Sequence, residues 1–275
     1  MKEASLQKFT KMARLLKWIP FFTLLFVAGF FNACNKIDAS EGAILEREFE
    51  VDDFDKISIE TAGILNYTQS TERFVGISAN EEILDILHVE VVENTLVIRF
   101  SQDKTILNEE HLIFTVSDDD VFSIETKSSA NVNANFDEGY NFYELEMIST
   151  GAGNIQLDAA NCTNGTFSAL GPGDIEVTTI NAAGVDAVLG GSGDVIIHGS
   201  ASTLDLTITG AGNYADHDFI AEKVDAFLSG SGNARVSVSY QLNANLTGSG
   251  NLTFKGSPTI NASSSTGSGV VIDGN

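Results

Sequence analysis

The chain has 275 residues, 25 of them glycine and 3 proline, and a formal net charge of −23 at pH 7. Residues 1–33 contribute a net +4, so the rest of the chain carries −27. A surface this acidic repels nucleic-acid phosphates and anionic lipid head groups, which excludes DNA or RNA as a partner. Frequent glycine with scarce proline favours stacked strands over a proline-rich disordered stalk.

The N-terminal segment is expected to be an export signal. Five basic residues precede an apolar run from Trp18 to Phe31, whose 14 residues fall short of the about 20 that a membrane-spanning helix needs. The run closes on Ala33-Cys34, a small residue followed by cysteine, which resembles a bacterial lipoprotein signal, although Phe31 stands where leucine is usual. We expect residues 1–33 to be removed and Cys34 to be acylated. Cleaved soluble export and an uncleaved anchor are the alternatives.

The expected lipid anchor is followed by a tether. Residues 34–42 are assigned to the acylated cysteine and a short polar segment, whose acids Asp38 and Glu41 either resemble a surface-export signal or simply solvate a linker. No composition break divides the remaining chain. We therefore expect one domain over residues 43–275, with regular repeats from about residue 145.

Residues 44–147 alternate between apolar and polar residues without a repeated motif, which is typical of strands. The expected strands lie near residues 54–59, 64–68, 74–79, 88–93, 96–100, 112–116 and 121–126. The break at Asn94 predicts a hairpin, and residues 81–87 predict one helical turn. Ser128-Ser129-Ala130-Asn131 stands where the later motif would stand, 23 residues before Gly151, so the repeated structure is expected to be running by residue 120.

From residue 151 onward one short motif, Gly-x-Gly-Asn/Asp, recurs at a nearly fixed interval. Its copies begin at Gly151, Gly171, Gly191, Gly210, Gly230 and Gly248, and a degenerate copy begins at Gly267. The intervals are 20, 20, 19, 20, 18 and 19 residues. A constant period near 20 residues predicts a solenoid, in which each coil of chain stacks on the next.

Side chains in the repeats alternate with period 2, which predicts strands rather than helices. Ala226, Leu228, Ala234, Val236 and Val238 share one parity with the glycines of their copy, and serine, asparagine and charged residues occupy the other. The apolar set is expected to point into the coil. Glycine at two successive inward positions implies either a coil too narrow for a side chain or a positive φ. The fold predicted is an all-β, parallel β-helix-like solenoid with coils of about 20 residues.

The last copy breaks the parity rule. Ile260 and Ala262 lie on the parity opposite to Gly267 and Gly269, so a slipped or frayed terminal coil is expected. The segment 270–273 then leaves an open strand edge, and burial of that edge in self-association is a hypothesis.

The polar residues that end the motifs form a candidate binding ladder. They are Asn154, Asp174, Asp194, Asn213, Asn233 and Asn251. Coils stacked about 4.8 Å apart would bring Asp174 close to Asp194, and Ca²⁺ could bridge the two carboxylates. The alternative, which we favour, is that Asn and Asp stand there because they suit tight turns and bond neighbouring backbone. No other metal site and no cofactor are expected, because the four histidines are scattered without ligand spacing.

An enzyme acting on polysaccharides, a lyase or a glycosidase, is the main alternative to a binding protein. Outward acids such as Glu176, Asp186, Asp205 and Asp225 could supply carboxylates. However, the repeats contain one arginine, and no long insertion could build a cleft. Tyr214 and Phe254 have the inward parity. The better candidates for exposed, glycan-stacking aromatics are Tyr140, Phe142 and Tyr143, although burial is expected even for these.

The chain also resembles a known family. The opening strand Phe54–Ile59 (FDKISI), the hairpin strand Leu96–Ile98 and the serial GSGN, GSGD and GAGN copies look like the putative auto-transporter adhesin head, GIN domain family of Bacteroidota lipoproteins. The resemblance covers about residues 50–270. It implies a right-handed β-solenoid and extracellular exposure, and it supplies no catalytic residues.

Taken together, these patterns predict a lipid-anchored protein of the outer membrane or cell surface of a Gram-negative, Bacteroidota-like bacterium. The expected work is non-catalytic, either adhesion or binding of a glycan or a surface protein. A purely structural envelope protein is the third alternative.

Overall fold

The computed structural model describes residues 36–275 except 102, 103, 138, 265 and 266, with backbone only at residues 216 and 262–264. Almost all of this is β-structure in a solenoid of about seven turns, as predicted. The strands are β1 Lys36–Asp38, β2 Ile44–Glu48, β3 Lys56–Ile59, β4 Ile64–Gln69, β5 Phe74–Asn80, β6 Leu87–Val92, β7 Thr95–Phe100, β8 Thr105–Leu107, β9 Ile113–Asp118, β10 Ser123–Thr126, β11 Asn131–Asn135, β12 Asn141–Ser149, β13 Ile155–Ala169, β14 Ile175–Leu189, β15 Val195–Ile208, β16 Tyr214–Leu228, β17 Ala234–Leu246, β18 Leu252–Lys255, β19 Thr259–Ser264 and β20 Val271–Asp273. A short helix, α1 Glu81–Ile86, and a 3-10 turn, Glu109–His111, complete the described elements.

Each repeated coil has three sides. Along β13 the buried positions are odd up to Ala159, even at Ala160 and Cys162, and odd again from Gly165. Each change of parity marks a bend, and the glycine motif makes the third corner. We call the stretch after a motif the post-motif side and the stretch before the next motif the pre-motif side. From β12 to β17 every coil pairs in parallel with the next one.

Glycine is required in the motif because successive coils approach each other backbone to backbone. A Cβ added to Gly191 would overlap the carbonyl oxygen of Gly171, and a Cβ on Gly193 would overlap that of Gly173. None of these glycines has a positive φ. The clash is with the neighbouring coil, so neither of the two reasons expected from the sequence, a narrow coil or a positive φ, applies.

The N-terminal coils stack in an order different from their order in the chain. β7 and β9 form the first coil, β3 and β4 the second, and β10 and β11 the third. The repeats then continue from β10 and β11 into β12 and β13. The solenoid is therefore running well before residue 120, as expected, and its core extends without a break from Ile37 to Phe254.

Antiparallel strands and a helix cover the first coil. β5 pairs with both β9 and β2, and β6 forms the predicted hairpin with β7. Glu93 and Asn94 at its turn have φ of 50° and 61°, as a two-residue type I′ turn requires. The predicted helical turn is α1, whose first residues are capped by the Asn80 side chain, which accepts the Ile83 N–H at 3.0 Å.

The segment expected to be a tether belongs to the fold from Lys36 onward. β1 pairs in parallel with β8, and Ile37 and Ala39 are 2% and 0% exposed. The expectation of a free polar linker over residues 35–42 is corrected in this respect. The two apolar residues that it contains lie in the core.

The last coil stays in register on both described sides. β19 pairs with β17 so that Ile260 lies beside Leu242, and β20 pairs with β18 so that Asp273 lies beside Phe254. β19 follows β17 at an offset of 18 residues and β20 follows β18 at an offset of 19, so the parity changes between β19 and β20. The predicted slip is therefore absent from the strands themselves. Ile260 is 44% exposed and Asp273 is exposed because no further coil covers their inward positions in the described structure.

Candidate functional site

The predicted ladder forms, and its side chains hold the coils together. Each side-chain oxygen accepts the backbone N–H of the ladder residue one coil further on. The N···O distances are 2.8 Å from Asp174 to Asn154, 2.7 Å from Asp194 to Asp174, 2.7 Å from Asn213 to Asp194, 3.0 Å from Asn233 to Asn213 and 3.0 Å from Asn251 to Asn233. The ladder begins at Asn131, which accepts the Asn154 N–H at 3.0 Å, and it ends at Asn251, which accepts the Val270 N–H.

This arrangement favours the structural interpretation of the ladder. One oxygen of every member is occupied by a backbone donor, and two side-chain amides also donate along the ladder, Asn213 to Asp194 at 3.0 Å and Asn233 to Asn213 at 3.2 Å. Calcium at Asp174 and Asp194 stays a prediction. Among the described residues, one group of three acids, Asp118, Asp119 and Asp120, comes within joint reach of a metal ion.

Two open hollows follow the ladder, one at each half of the solenoid. The first has a volume of about 410 Å³ and is lined by Ile64, Asn131, Val132, Asn133, Asn154, Ile155, Gln156, Asp174 and Glu176. The second has a volume of about 430 Å³ and is lined by Asp194, Asn213, Tyr214, Ala215, Asn233, Ala234, Arg235, Asn251, Thr253 and Ile272. Both lie on the post-motif side, so we call them together the ladder trough.

Three side chains in the ladder trough are available for a ligand. Gln156, Glu176 and Arg235 stand two residues after a ladder residue, point outward and are exposed. No hydrogen bond or ion pair among the described residues engages any of the three. They supply an amide, a carboxylate and a guanidinium group, all of which bind hydroxyl groups well. Gln156 was not among the site residues predicted from the sequence. It stands two residues after the end of a motif, and that shared position could have identified it.

The outward acids of the pre-motif side form a second column. Asp186, Asp205 and Asp225 lie beside one another on successive coils. The pKa of Asp205 is raised, mainly because the carboxyl group is partly buried and to a smaller extent because of the negative charges of Asp186 and Asp225. Beyond Asp225 the column continues with Asn243, whose side-chain amide donates to the Asp225 carboxylate. These acids stand on a sheet face and line neither hollow of the ladder trough, so they do not converge on a cleft.

The aromatic residues are buried or exposed in part as the sequence predicts. Tyr214 and Phe254 are buried, at 0% and 5% exposure. Tyr143 is 73% exposed and Tyr140 45%, whereas Phe142 is buried and packs edge-on against the ring of Phe136. Tyr143 lies in β12 and Tyr140 directly before it, and neither lines the ladder trough. Tyr240 in β17 is also exposed, at 64%.

The cysteines offer no nucleophile to the described surface. Cys162 is 3% exposed, and burial raises the pKa of its thiol to about 11. It is therefore a protonated core residue at neutral pH, which suits a structural role. Cys34, the expected lipidation site, and residues 1–33 lie outside the described residues. No helix within the described part of the chain is long and apolar enough to span a membrane.

Residues 53–258 match the family described as putative auto-transporter adhesin, head GIN domain. The chain belongs to this family. The GIN domain is named for adhesion and not for a catalytic activity. None of the curated proteins matches the chain.

Solved structures similar to this chain include proteins from Bacteroides and Parabacteroides. A putative adhesin from Bacteroides fragilis is 25% identical, with a TM-score of 0.62, and the match covers 86% of this chain and 98% of that one. A putative adhesin from Parabacteroides merdae is 19% identical, with a TM-score of 0.71 and coverage of 87% and 99%. A putative lipid binding protein from Parabacteroides distasonis is 22% identical, with a TM-score of 0.67 and coverage of 86% and 99%. The last two share the fold.

Proposed function

We propose that this GIN-domain protein is a lipid-anchored protein of the cell envelope that binds a neutral glycan, without cleaving it, in the ladder trough. The observation that carries the proposal is the contrast between the ladder residues, whose oxygens are occupied by backbone, and Gln156, Glu176 and Arg235, which have no partner in the described structure. Anchoring through Cys34 and a position on the outer membrane or cell surface agree with the signal-like N-terminus and with the adhesin-like relatives from Bacteroidota.

The chemistry of the trough favours a glycan over other ligands. Its outward groups are amides, carboxylates and one guanidinium, which suit hydroxyl groups, and its apolar lining residues Val132, Ile155 and Tyr214 are buried, whereas Ile272 in the second hollow is 41% exposed. Such a surface has little to offer an acyl chain. A polyanionic glycan would also meet a chain that carries −27 beyond residue 33.

Catalysis is disfavoured by the way the carboxylates are used. A glycosidase needs two carboxyl groups placed for acid and base or nucleophile roles. In the first hollow, Asp174 holds the Asp194 N–H at 2.7 Å, so its carboxylate is tied into the ladder. Glu176 is the one carboxylate of that hollow without a partner among the described residues.

A screen of neutral and acidic glycans on residues 34–275, with and without Ca²⁺, tests the proposal by following both binding and chain cleavage. We expect saturable binding of neutral glycans, no depolymerisation, and a loss of binding in the Gln156→Ala, Glu176→Ala and Arg235→Ala variants. Asn245→Ala is the matched control, because Asn245 is an exposed polar residue on the pre-motif side. Depolymerisation of any polysaccharide would establish the enzyme alternative. Binding that survives all three substitutions would place the ligand elsewhere.

Acylation is tested separately. Incorporation of a labelled fatty acid into the full chain, and its loss in the Cys34→Ala variant, is the expected result. A soluble, unlabelled product from both chains would contradict the anchor.

A further inference from the structure

Only one residue separates Cys34, the expected site of the lipid, from β1, the first strand of the domain. β1 is hydrogen-bonded into the fold beside β8, and Ala39 N–H donates to Leu107 O at 2.9 Å. Consecutive Cα atoms are about 3.8 Å apart, so Cys34 lies within about 8 Å of Lys36 whatever conformation residue 35 adopts. A lipid on Cys34 would therefore place the bilayer surface against this end of the solenoid.

Hydrogen bonds from side chains of the domain keep residues 38–41 in place. The Asn80 side chain, which is 6% exposed, donates to the carbonyl oxygens of Asp38 at 2.8 Å and Glu41 at 3.0 Å. Asp38 in turn accepts from Asn108 Nδ2 at 2.7 Å and from the Ser40 backbone N–H at 2.9 Å. These contacts oppose peeling of residues 36–41 from the domain, so the segment cannot lengthen into a tether at low cost.

Exposed apolar side chains surround the point where the chain enters the fold. Leu45 and Leu107, 44% and 40% exposed, line the same hollow as Lys36, and Ile44 beside them is 46% exposed. Leucine and isoleucine side chains left in water at this position gain free energy by entering a lipid interface. The same hollow carries the carboxylates of Glu41, Glu81 and Glu82, which disfavour anionic head groups.

We propose that Leu45 and Leu107 seat this end of the domain directly on the lipid surface that holds the acyl chains of Cys34. The proposal rests on the lipid anchor of the proposed function. It adds that the protein is docked and not tethered, that the docking surface prefers zwitterionic lipid, and that the C-terminal coil points to the far end of the stack, away from this contact.

The experiment uses single tryptophans in the mature chain, residues 34–275. The sequence has one tryptophan, Trp18, so this chain has none, and it contains all the core residues from Ile37 to Phe254. Cys34 is coupled to a maleimide lipid in phosphatidylcholine vesicles. The buried thiol of Cys162, with a pKa of about 11, does not compete at neutral pH. Leu107→Trp reports on the docking surface, and Ile272→Trp, which replaces a residue of nearly equal exposure (41%) in the last coil, is the matched control.

Brominated lipids are expected to quench Leu107→Trp and to leave Ile272→Trp bright. A flexible Gly/Ser insertion before Lys36 should reduce quenching at residue 107 to the level at residue 272, and part replacement by phosphatidylglycerol should weaken it at low salt. Leu45→Trp replaces Leu107→Trp if that variant does not fold. Equal quenching at both ends, or quenching that the insertion leaves unchanged, would overturn the proposal.

The chemical coupling separates this result from the question of acylation in cells. If Leu107→Trp is quenched but Cys34 incorporates no fatty acid in the cell, the anchor and the cellular docking are both refuted while glycan binding stands. If Cys34 is acylated but the two tryptophans are quenched alike, the anchor stands and docking alone is refuted.

Discussion

The two halves of this solenoid are held together by different means. Ion pairs formed by Arg47, Arg73, Arg99 and Lys127 join side chains in the N-terminal coils and their cover. The repeats from residue 151 are joined by backbone hydrogen bonds, by the Asn/Asp ladder and by the close contact of glycines. Where coils stack in the same order as in the chain, one repeated local motif is enough to determine how they pair. Where coils stack in a different order, particular side-chain pairs are needed to determine the pairing.

The sharpest test of this comparison is one methyl group in a repeat. Gly191→Ala should destabilise the protein by about 3 kcal/mol or more, because its Cβ would overlap backbone that cannot move without separating two coils. Gly190→Ala is the adjacent control. Its Cβ would first meet the Leu170 Cδ2 atom at 3.1 Å, at the end of a flexible, 46% exposed side chain. Urea unfolding compares the two. Equal destabilisation would refute backbone contact as the reason for the motif.

The N-terminal half should be most sensitive to the loss of one arginine. Arg73 Nε donates to Asp118, whose side chain is 2% exposed, at 2.6 Å, and the guanidinium also pairs with Asp53. Arg73→Ala would leave the Asp118 carboxylate buried beside one backbone donor, Asp120 N–H, at a cost of about 3 kcal/mol. The half-exposed pair of Arg99 and Glu90 provides the control, since Arg99→Ala should cost less than about 1 kcal/mol. Hydrogen exchange should show the loss in β5 and β9 before the repeats.

A ladder residue should affect stability by a smaller amount and leave glycan binding intact. Asn233→Ala removes the acceptor of the Asn251 N–H at 3.0 Å, which costs about 1 kcal/mol. Asn233→Asp keeps that acceptor but loses the amide that donates to Asn213 Oδ1 at 3.2 Å, so it should recover only part of the stability. Thermal unfolding of the two variants, with a binding assay beside it, measures both effects. Loss of binding in the folded Asn233→Asp variant would make the ladder part of the ligand site.

The smallest expected effect is a stabilisation. Asp205→Asn removes the middle charge of the acidic column and should raise stability at pH 7 by about 0.5 kcal/mol. Because the pKa of Asp205 is raised in the folded state, the wild-type penalty is complete above the folded pKa and absent below the unfolded one. The advantage of the variant should therefore disappear as the pH falls. Asp158→Asn, with Thr178 opposite, is the control, and an advantage of Asp205→Asn that persists at low pH would contradict the explanation.

The sequence predicts the repeats well because their information is local. Alternating residues such as Ala226 and Leu228, and glycines at a fixed interval, report directly on which side chains face inward. The order of the first coils is different, because β3 pairs with β7 and β10, which are distant in the chain. The burial of Ile37 was missed for a related reason, since one apolar residue in a polar segment carries no periodicity.

The candidate site was predictable only in outline. The ladder positions follow from the motif, but the direction of their hydrogen bonds depends on the offset between coils, which the period alone does not give. Gln156, Glu176 and Arg235 share a position and not a residue type, so no repeated letter marks them. Their relation becomes visible when the coils are stacked.

The inward-facing Asp273 gives the stack a defined length. It occupies the place beside Phe254 where a further coil would need an apolar side chain, and Asn275 closes the end by bonding Gly256 through both its amide donor, at 2.8 Å, and its oxygen, at 2.9 Å. An inward charge on an edge strand opposes pairing with another chain. A protein built from identical, self-complementary layers is at risk of growing into a fibre at high density on a crowded surface, and this single carboxylate works against that polymerisation.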